Sequence, residues 1–206
     1  LTRIVDTLYA QVPAGLGKGG DVKLNHKQLQ RVLRDGAAWA VQQGYGEAVD
    51  LEFIEDGGTL AGADPAAVGK RALDRGAEQL GTLGSGNHFL EVGVVDEIFD
   101  LPAADAFGLR PGQVTVMIHS GSRGLGHQVC DDSLGAMAQY VRAKGIELPD
   151  RQLACAHATS DAGRQYLAAM AAAANYAFAN RQILLARAQR AVLAALSLSP
   201  RELGLR

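Results

Sequence analysis

The chain has 206 residues, 48% of them hydrophobic and 20% charged, with a formal net charge of −2. That length and apolar share suffice to bury a core and predict one domain spanning 1–206. The near-neutral charge excludes a generally basic surface, so any nucleic-acid contact has to come from a local group of Arg and Lys. The two cysteines, Cys130 and Cys155, have no CxxC-like spacing. This argues against a zinc ribbon and a disulfide scaffold, and fits a reducing, cytoplasmic setting. No apolar run approaches the roughly 20 residues that cross a bilayer, and the Leu1 start carries no signal-peptide pattern. The chain opens without Met, which points to a processed protein or to a portion of a longer one.

In chain order, Leu1, Ile4, Val5 and Leu8 recur at helical spacing and predict a short helix over 1–12, ended by Pro13 and the glycines of PAGLGKGG. A second helix is expected over 25–44, with Asn25 as N-cap, an apolar face through Leu29, Val32, Leu33, Ala37 and Ala40, Trp39 near that face, and a stop at Gly44. Turn formers and acidic residues dominate 45–62, and Ala63-Asp64-Pro65 opens a further helix to about Leu80. This middle part reads as a lid or connector. From Gly81 the pattern changes to short strands between glycine loops, Phe89 to Val95 and Val114 to Ile118. Helices return at 133–145 and at about 160–195, where 160–163 resembles an N-terminal cap. The class expected is α+β, a strand core with glycine-rich loops flanked by helices.

The chemistry concentrates at two glycine-flanked histidines. In GTLGSGNHFLEV (81–92), glycines 81, 84 and 86 allow close backbone approach to an anion, as in phosphate-binding nests. Asn87 offers a donor and an acceptor, His88 an imidazole, and Glu91 a carboxylate able to accept from the N–H edge of a purine. A strand beginning at Asn87 would put Asn87, Phe89 and Glu91 on one face and His88 on the other, one side toward a base and the other toward a metal. A plain glycine turn with an incidental His is the competing reading. In HSGSRGLGHQV (119–129), a strand delivers His119, and small residues surround Arg123, whose planar fork suits a phosphate. An ordinary surface salt bridge is the alternative for Arg123, and His127 reads as a capping or core-satisfied imidazole. His26 and His157 read as solvated surface. Two imidazoles do not fill a metal's coordination shell, so further ligands must come from elsewhere.

At these residues the sequence resembles the RtcB family of RNA ligases, also called tRNA-splicing ligases. QLGTLGSGNHFLEV and VMIHSGSRGLGHQV carry the resemblance, with further similarity in the Asp-Pro helix near 64–76, in GLRPGQV at 108–114 and in AAANYAFANRQ at 172–182. It implies an RtcB-type fold and a GTP- and Mn²⁺-dependent enzyme that joins RNA 3′-phosphate or 2′,3′-cyclic phosphate ends to 5′-hydroxyl ends through a guanylylated histidine. It also implies that His88 and His119 each ligate one of two manganese ions, that Asn87, His88, Phe89, Leu90 and Glu91 contact the guanylate, and that Arg123 holds an RNA phosphate. An archease-like helper protein is an implied partner.

The departures matter as well. The family's DxxCGM-like metal motif, its DxxHN segment and its GMP-accepting histidine are not found, so the chain is expected to be an internal portion of such a ligase. Two other readings stay open: a non-catalytic nucleotide- and metal-binding fragment, and an unrelated metal hydrolase using His88 and His119.

Overall fold

The computed structural model describes residues 2–15, 19–150 and 153–203. Its elements are α1 (Thr2–Gln11), α2 (His26–Gln42), α3 (Lys70–Gln79), β1 (Phe89–Val94), α4 (Leu101–Phe107), β2 (Val114–His119), α5 (Arg123–Ala143), α6 (Asp161–Leu196) and α7 (Pro200–Leu203). Helices and a small antiparallel sheet make the class α+β. None of the described helices is long and apolar enough to cross a membrane.

Helix α6 is the spine. It starts where the sequence predicts, with the Ser160 hydroxyl accepting from the Gly163 amide at 3.1 Å, and its alanines let neighbouring elements approach closely. Ala169, Ala172, Ala173, Tyr176, Ala179 and Ile183 form the main core with Leu29, Val32 and Leu33 of α2, Ala72 of α3, and Leu125 and Val129 of α5. Burying such side chains contributes about 25 cal/mol per Å² of apolar surface, the largest favourable term in the fold.

Helix α2 opens with a reciprocal Asn25/Gln28 capping box, as its sequence suggests. It is not continuous: Gly36, with φ at +55°, kinks it. A Cβ there would collide with the Gly58 carbonyl. The carbonyls of Leu33 and Arg34, beside the kink, accept from Asn175 Nδ2 at 3.0 and 3.1 Å, which satisfies these two acceptors where the helix is bent. The helix expected over 63–80 is also interrupted. Asp64 and Pro65 start a short 3₁₀ turn over Pro65–Ala67, and α3 begins only at Lys70, because Val68 and Gly69 take extended backbone angles. The 45–62 segment forms short 3₁₀ turns over Ala48–Phe53 and Glu55–Gly58. It is pinned as a connector by Thr59 donating to Asp35 O at 2.9 Å and Leu60 N–H donating to Asn175 Oδ1 at 2.7 Å.

Strands β1 and β2 pair antiparallel with Phe89 opposite His119, Leu90 opposite Ile118, and Glu91 opposite Met117. Leu90, Val92, Val116 and Ile118 face inward onto Leu8 of α1 and Ala188 and Ala191 of α6. Phe89, Glu91, Met117 and His119 face outward and are exposed. The strands are joined through α4, which the sequence reading did not anticipate and which is capped by Asp100 accepting from Ala103 N–H at 2.9 Å. Helix α5 begins at Arg123, not near 133. The residues read as a glycine loop, Gly124 and Gly126, are helical because α5 packs on α3 there: Leu125 fills the space a Cβ on Gly76 would need, and Gly124 lies against Arg75 and Gln79.

Candidate functional site

Two loops meet at one end of the sheet. The first, Gly81–His88, leads into β1; the second, Ser120–Ser122, leaves β2 and enters α5. Positive φ at Gly81 (+74°), Gly84 (+109°) and Gly86 (+74°) folds the first loop back on itself. The His88 Nδ1 lies 2.9 Å from the Ser85 carbonyl, so Nδ1 carries the proton in that bond and Nε2 is the ring nitrogen turned to other partners.

His88 and His119 come together on one side of the sheet, with ring centroids 5.8 Å apart. Phe89 meets the His119 ring edge-on at 5.3 Å. This corrects the expectation of a base side and a separate metal side. His88 lies in the turn before β1, so strand alternation does not reach it, and the opposite face of the sheet is filled by α1 and α6. Asn87 and Glu91 are exposed near the imidazoles' end of β1, whereas the Leu90 side chain turns into the core and offers a ligand only its main chain.

Arg123 is half-buried. Its Nε donates to Thr82 Oγ1 at 3.1 Å, and its guanidinium occupies the space a Cβ on Gly84 would need. It makes no ion pair among the described residues, so the surface salt-bridge alternative does not hold. Burial lowers its pKa from the ordinary arginine value, which leaves it cationic. Its φ of +55° places a non-glycine residue in the left-handed region at the first position of α5, a strain of order 1–3 kcal/mol of the kind that gathers at functional positions. Arg123 stands at the α5 N-terminus, where Gly124 N–H donates to Gln79 Oε1 at 2.9 Å.

Other predicted positions separate from this cluster. His127 is exposed on α5 and lies 3.3 Å from Asp131, a surface pair and neither a cap nor a core group. His26 contacts Gln30 and His157 contacts Thr159, both on the exposed surface. Cys130 and Cys155 are free and exposed. Among the described residues no group of three or more His, Cys, Asp or Glu is arranged to hold a metal. The adjacent imidazoles therefore fit a divalent ion of borderline softness as part of a shell, with other ligands required.

Two residues of α6 that sequence reasoning missed also belong to the site. The Asn180 side chain lies between the two loops, and Arg181 donates to the Ser120 carbonyl at 3.3 Å. Desolvation by burial lowers the Arg181 pKa, and its guanidinium sits 5.1 Å from the Phe178 ring centroid. The signal available was the Asn-Arg-Gln run at 180–182 in an alanine-rich helix, since buried polar groups need partners.

In sequence the chain is similar to known splicing ligases. The family model described as tRNA-splicing ligase RtcB matches residues 1–206. The tRNA-splicing ligase RtcB of Pyrococcus furiosus is 56% identical over 89% of this chain and 19% of its own length. That of Archaeoglobus fulgidus is 53% identical over 89% of this chain and 38% of its own length. The RNA-splicing ligase RtcB of Mycobacterium tuberculosis is 52% identical over 98% of this chain and 47% of its own length. The chain belongs to the RtcB family, and it spans less than half the length of these relatives.

Proposed function

We propose that this chain forms part of the metal and guanylate site of a GTP- and Mn²⁺-dependent RNA ligase that joins 3′-phosphate or 2′,3′-cyclic phosphate ends to 5′-hydroxyl ends, in tRNA splicing or RNA repair. The observation that supports this above all is the meeting of the His88 and His119 imidazoles, 5.8 Å apart, beside an arginine-bearing loop at a helix N-terminus. On this reading His88 and His119 each hold one of two manganese ions. Asn87 contacts the guanylate phosphate, Glu91 accepts from the guanine N–H edge, and the Leu90 main chain and Phe89 complete that wall.

Arg123 uses Nε on Thr82 and retains its terminal N–H groups for an RNA phosphate. When bound, the metal ions would neutralise phosphate charge and orient the nucleotide. On this reading a histidine outside these residues would take GMP from GTP with pyrophosphate leaving, and an oxygen of the RNA 3′-phosphate would then take GMP from that histidine, the P–N bond breaking and the imidazole leaving. The 5′-hydroxyl oxygen attacks that phosphorus, a phosphodiester bond forms, GMP leaves with the electrons of the broken anhydride bond, and the hydroxyl proton passes to solvent. An archease-like helper is a proposed partner of the whole ligase.

GTP binding in the presence of Mn²⁺ tests the reading. Asn87→Ala and Glu91→Ala should each weaken binding by roughly tenfold, the net worth of one hydrogen bond to a charged or polar partner. Unchanged binding by both variants would overturn the guanylate assignment and favour a metal hydrolase built on the same imidazoles. A second reading, a binding fragment without turnover, is favoured by the lack of a three-ligand cluster among the described residues. Covalent GMP labelling of this chain would rule that reading out.

A further inference from the structure

Helix α6 carries two fully buried asparagines, Asn175 and Asn180, about 1.4 turns apart. Each is surrounded by main-chain groups from segments distant in sequence, but they serve different parts of the molecule. Asn175 holds the α2 kink to the Leu60 segment: its Nδ2 donates to Leu33, Arg34 and Leu60 carbonyls, and its Oδ1 accepts from Leu60 N–H. Asn180 holds only the two site loops. Its Oδ1 accepts from Gly81 N–H at 2.7 Å and Thr82 N–H at 3.2 Å. Its Nδ2 donates to Thr82 O at 3.1 Å, Ser120 Oγ at 3.2 Å and Gly121 O at 3.1 Å.

We propose that Asn180 is the positioning residue that sets the His88 loop in register with the His119–Arg123 loop, so that the two imidazoles and the Arg123 guanidinium form one site. The orientation of its amide is decided by the network. The oxygen meets two N–H groups and the nitrogen meets two carbonyls, so the opposite assignment would set like against like. The two amide protons are shared among three acceptors, one from the first loop and two from the second. Ser120 closes the circuit, since its hydroxyl donates to Leu83 O at 2.8 Å while accepting from Asn180. The first loop meets the second directly at that bond and through the Arg123 contacts with Thr82 and Gly84. Bulk solvent does not reach this bridge, because Thr82, Ser120 and Asn180 are all buried, so each of these polar groups depends on its partner in the network.

This inference rests on the functional reading only for the purpose of the register, and the two are separable by experiment. In the whole 206-residue chain, hydrogen exchange would be followed at Gly81, Thr82 and Gly121–Arg123, and the cross-ring proximity of His88 and His119 by NMR. Asn180→Ala should accelerate exchange in both loops together by at least roughly tenfold and abolish the His88–His119 proximity. Asn175→Ala should loosen α2 and the Leu60 segment but leave both loops and the ring proximity as they are. Should Asn180→Ala not fold, Ser120→Ala removes one link of the same circuit and should accelerate both loops to a lesser degree.

Loops that exchange independently, or equal effects of the Asn180 and Asn175 variants on ring proximity, would overturn the proposal. Mn²⁺-induced broadening of the two imidazoles, measured on the same samples, reads the functional assignment separately. Its absence in the wild-type chain counts against the metal reading whatever the exchange data say.

Discussion

The Arg123 guanidinium occupies the space beside Gly84 that a Cβ would need. A residue of the α5 N-terminus thus lies against the backbone of the loop that leads to His88, and the two segments share one volume. Gly84 is doubly constrained, since its φ of +109° is also one that L side chains avoid. Gly84→Ala should therefore cost about 1–3 kcal/mol of stability and displace Arg123 from Thr82. Equilibrium urea unfolding checks the first and the Arg123 Nε proton resonance the second. A wild-type unfolding midpoint would contradict the packing described.

The pairing of His88 and His119 leads to a contrast with His127, which sits on the same segment as His119 but on the outer surface of α5. His119→Gln should weaken Mn²⁺ binding to the chain by about tenfold or more, the range already seen for losing partners of metal ligands. His127→Gln should leave it unchanged. Paramagnetic broadening titrations distinguish the two, and an equal effect would remove His119 from the metal assignment.

Tyr176 is fully buried and its hydroxyl donates to the Gly76 carbonyl at 2.8 Å. Tyr176→Phe should cost about 1–2 kcal/mol, the penalty of leaving a buried acceptor bare. Burial pushes the phenol far above its ordinary pKa. An alkaline absorbance titration should accordingly show Tyr176 ionising only as the fold opens. Ionisation of every tyrosine in the native protein would refute this.

Asp21 forms an ion pair with Arg187, whose side chain is 9% exposed against 77% for Asp21. The hydrogen bond from Arg187, with its charge, holds the Asp21 carboxyl below the ordinary carboxylate value. The folded-state pKa is depressed, so the pair's stabilisation is present above the unfolded-state value and is lost as pH falls through the folded one. Solvent screening of the exposed Asp21 limits the effect to about 1 kcal/mol. Asp21→Asn should be less stable than wild type near neutrality, and the two stabilities should converge in acid. Parallel stability curves down to the lowest pH at which both fold would argue against a contribution from the pair.

The glycine-flanked histidines, the Asn25 cap, the Ser160 cap and the two strands were all legible because each depends on neighbours within a few residues. The alternation of Leu90 and Val92, and of Val116 and Ile118, marks the sheet's buried face directly. The kink at Gly36, the break before Lys70 and the start of α5 at Arg123 were not legible. At the kink and at the start of α5 the local sequence permits two conformations and a distant partner selects one: Gly58 and Asn175 at the kink, α3 against Gly124 and Leu125 at the start of α5.

The sequence by itself thus determined that His88 and His119 stand where glycine-rich loops meet strands. Only the tertiary structure decided that His88 and His119 lie on the same side of the sheet and that Leu90 does not face it. The physical reason lies in separation along the chain. The groups that register the loops are Asn180 with Thr82, 98 positions apart, and with Ser120, 60 positions apart. No local pattern encodes a hydrogen bond whose partner is brought within reach only when α6 is packed.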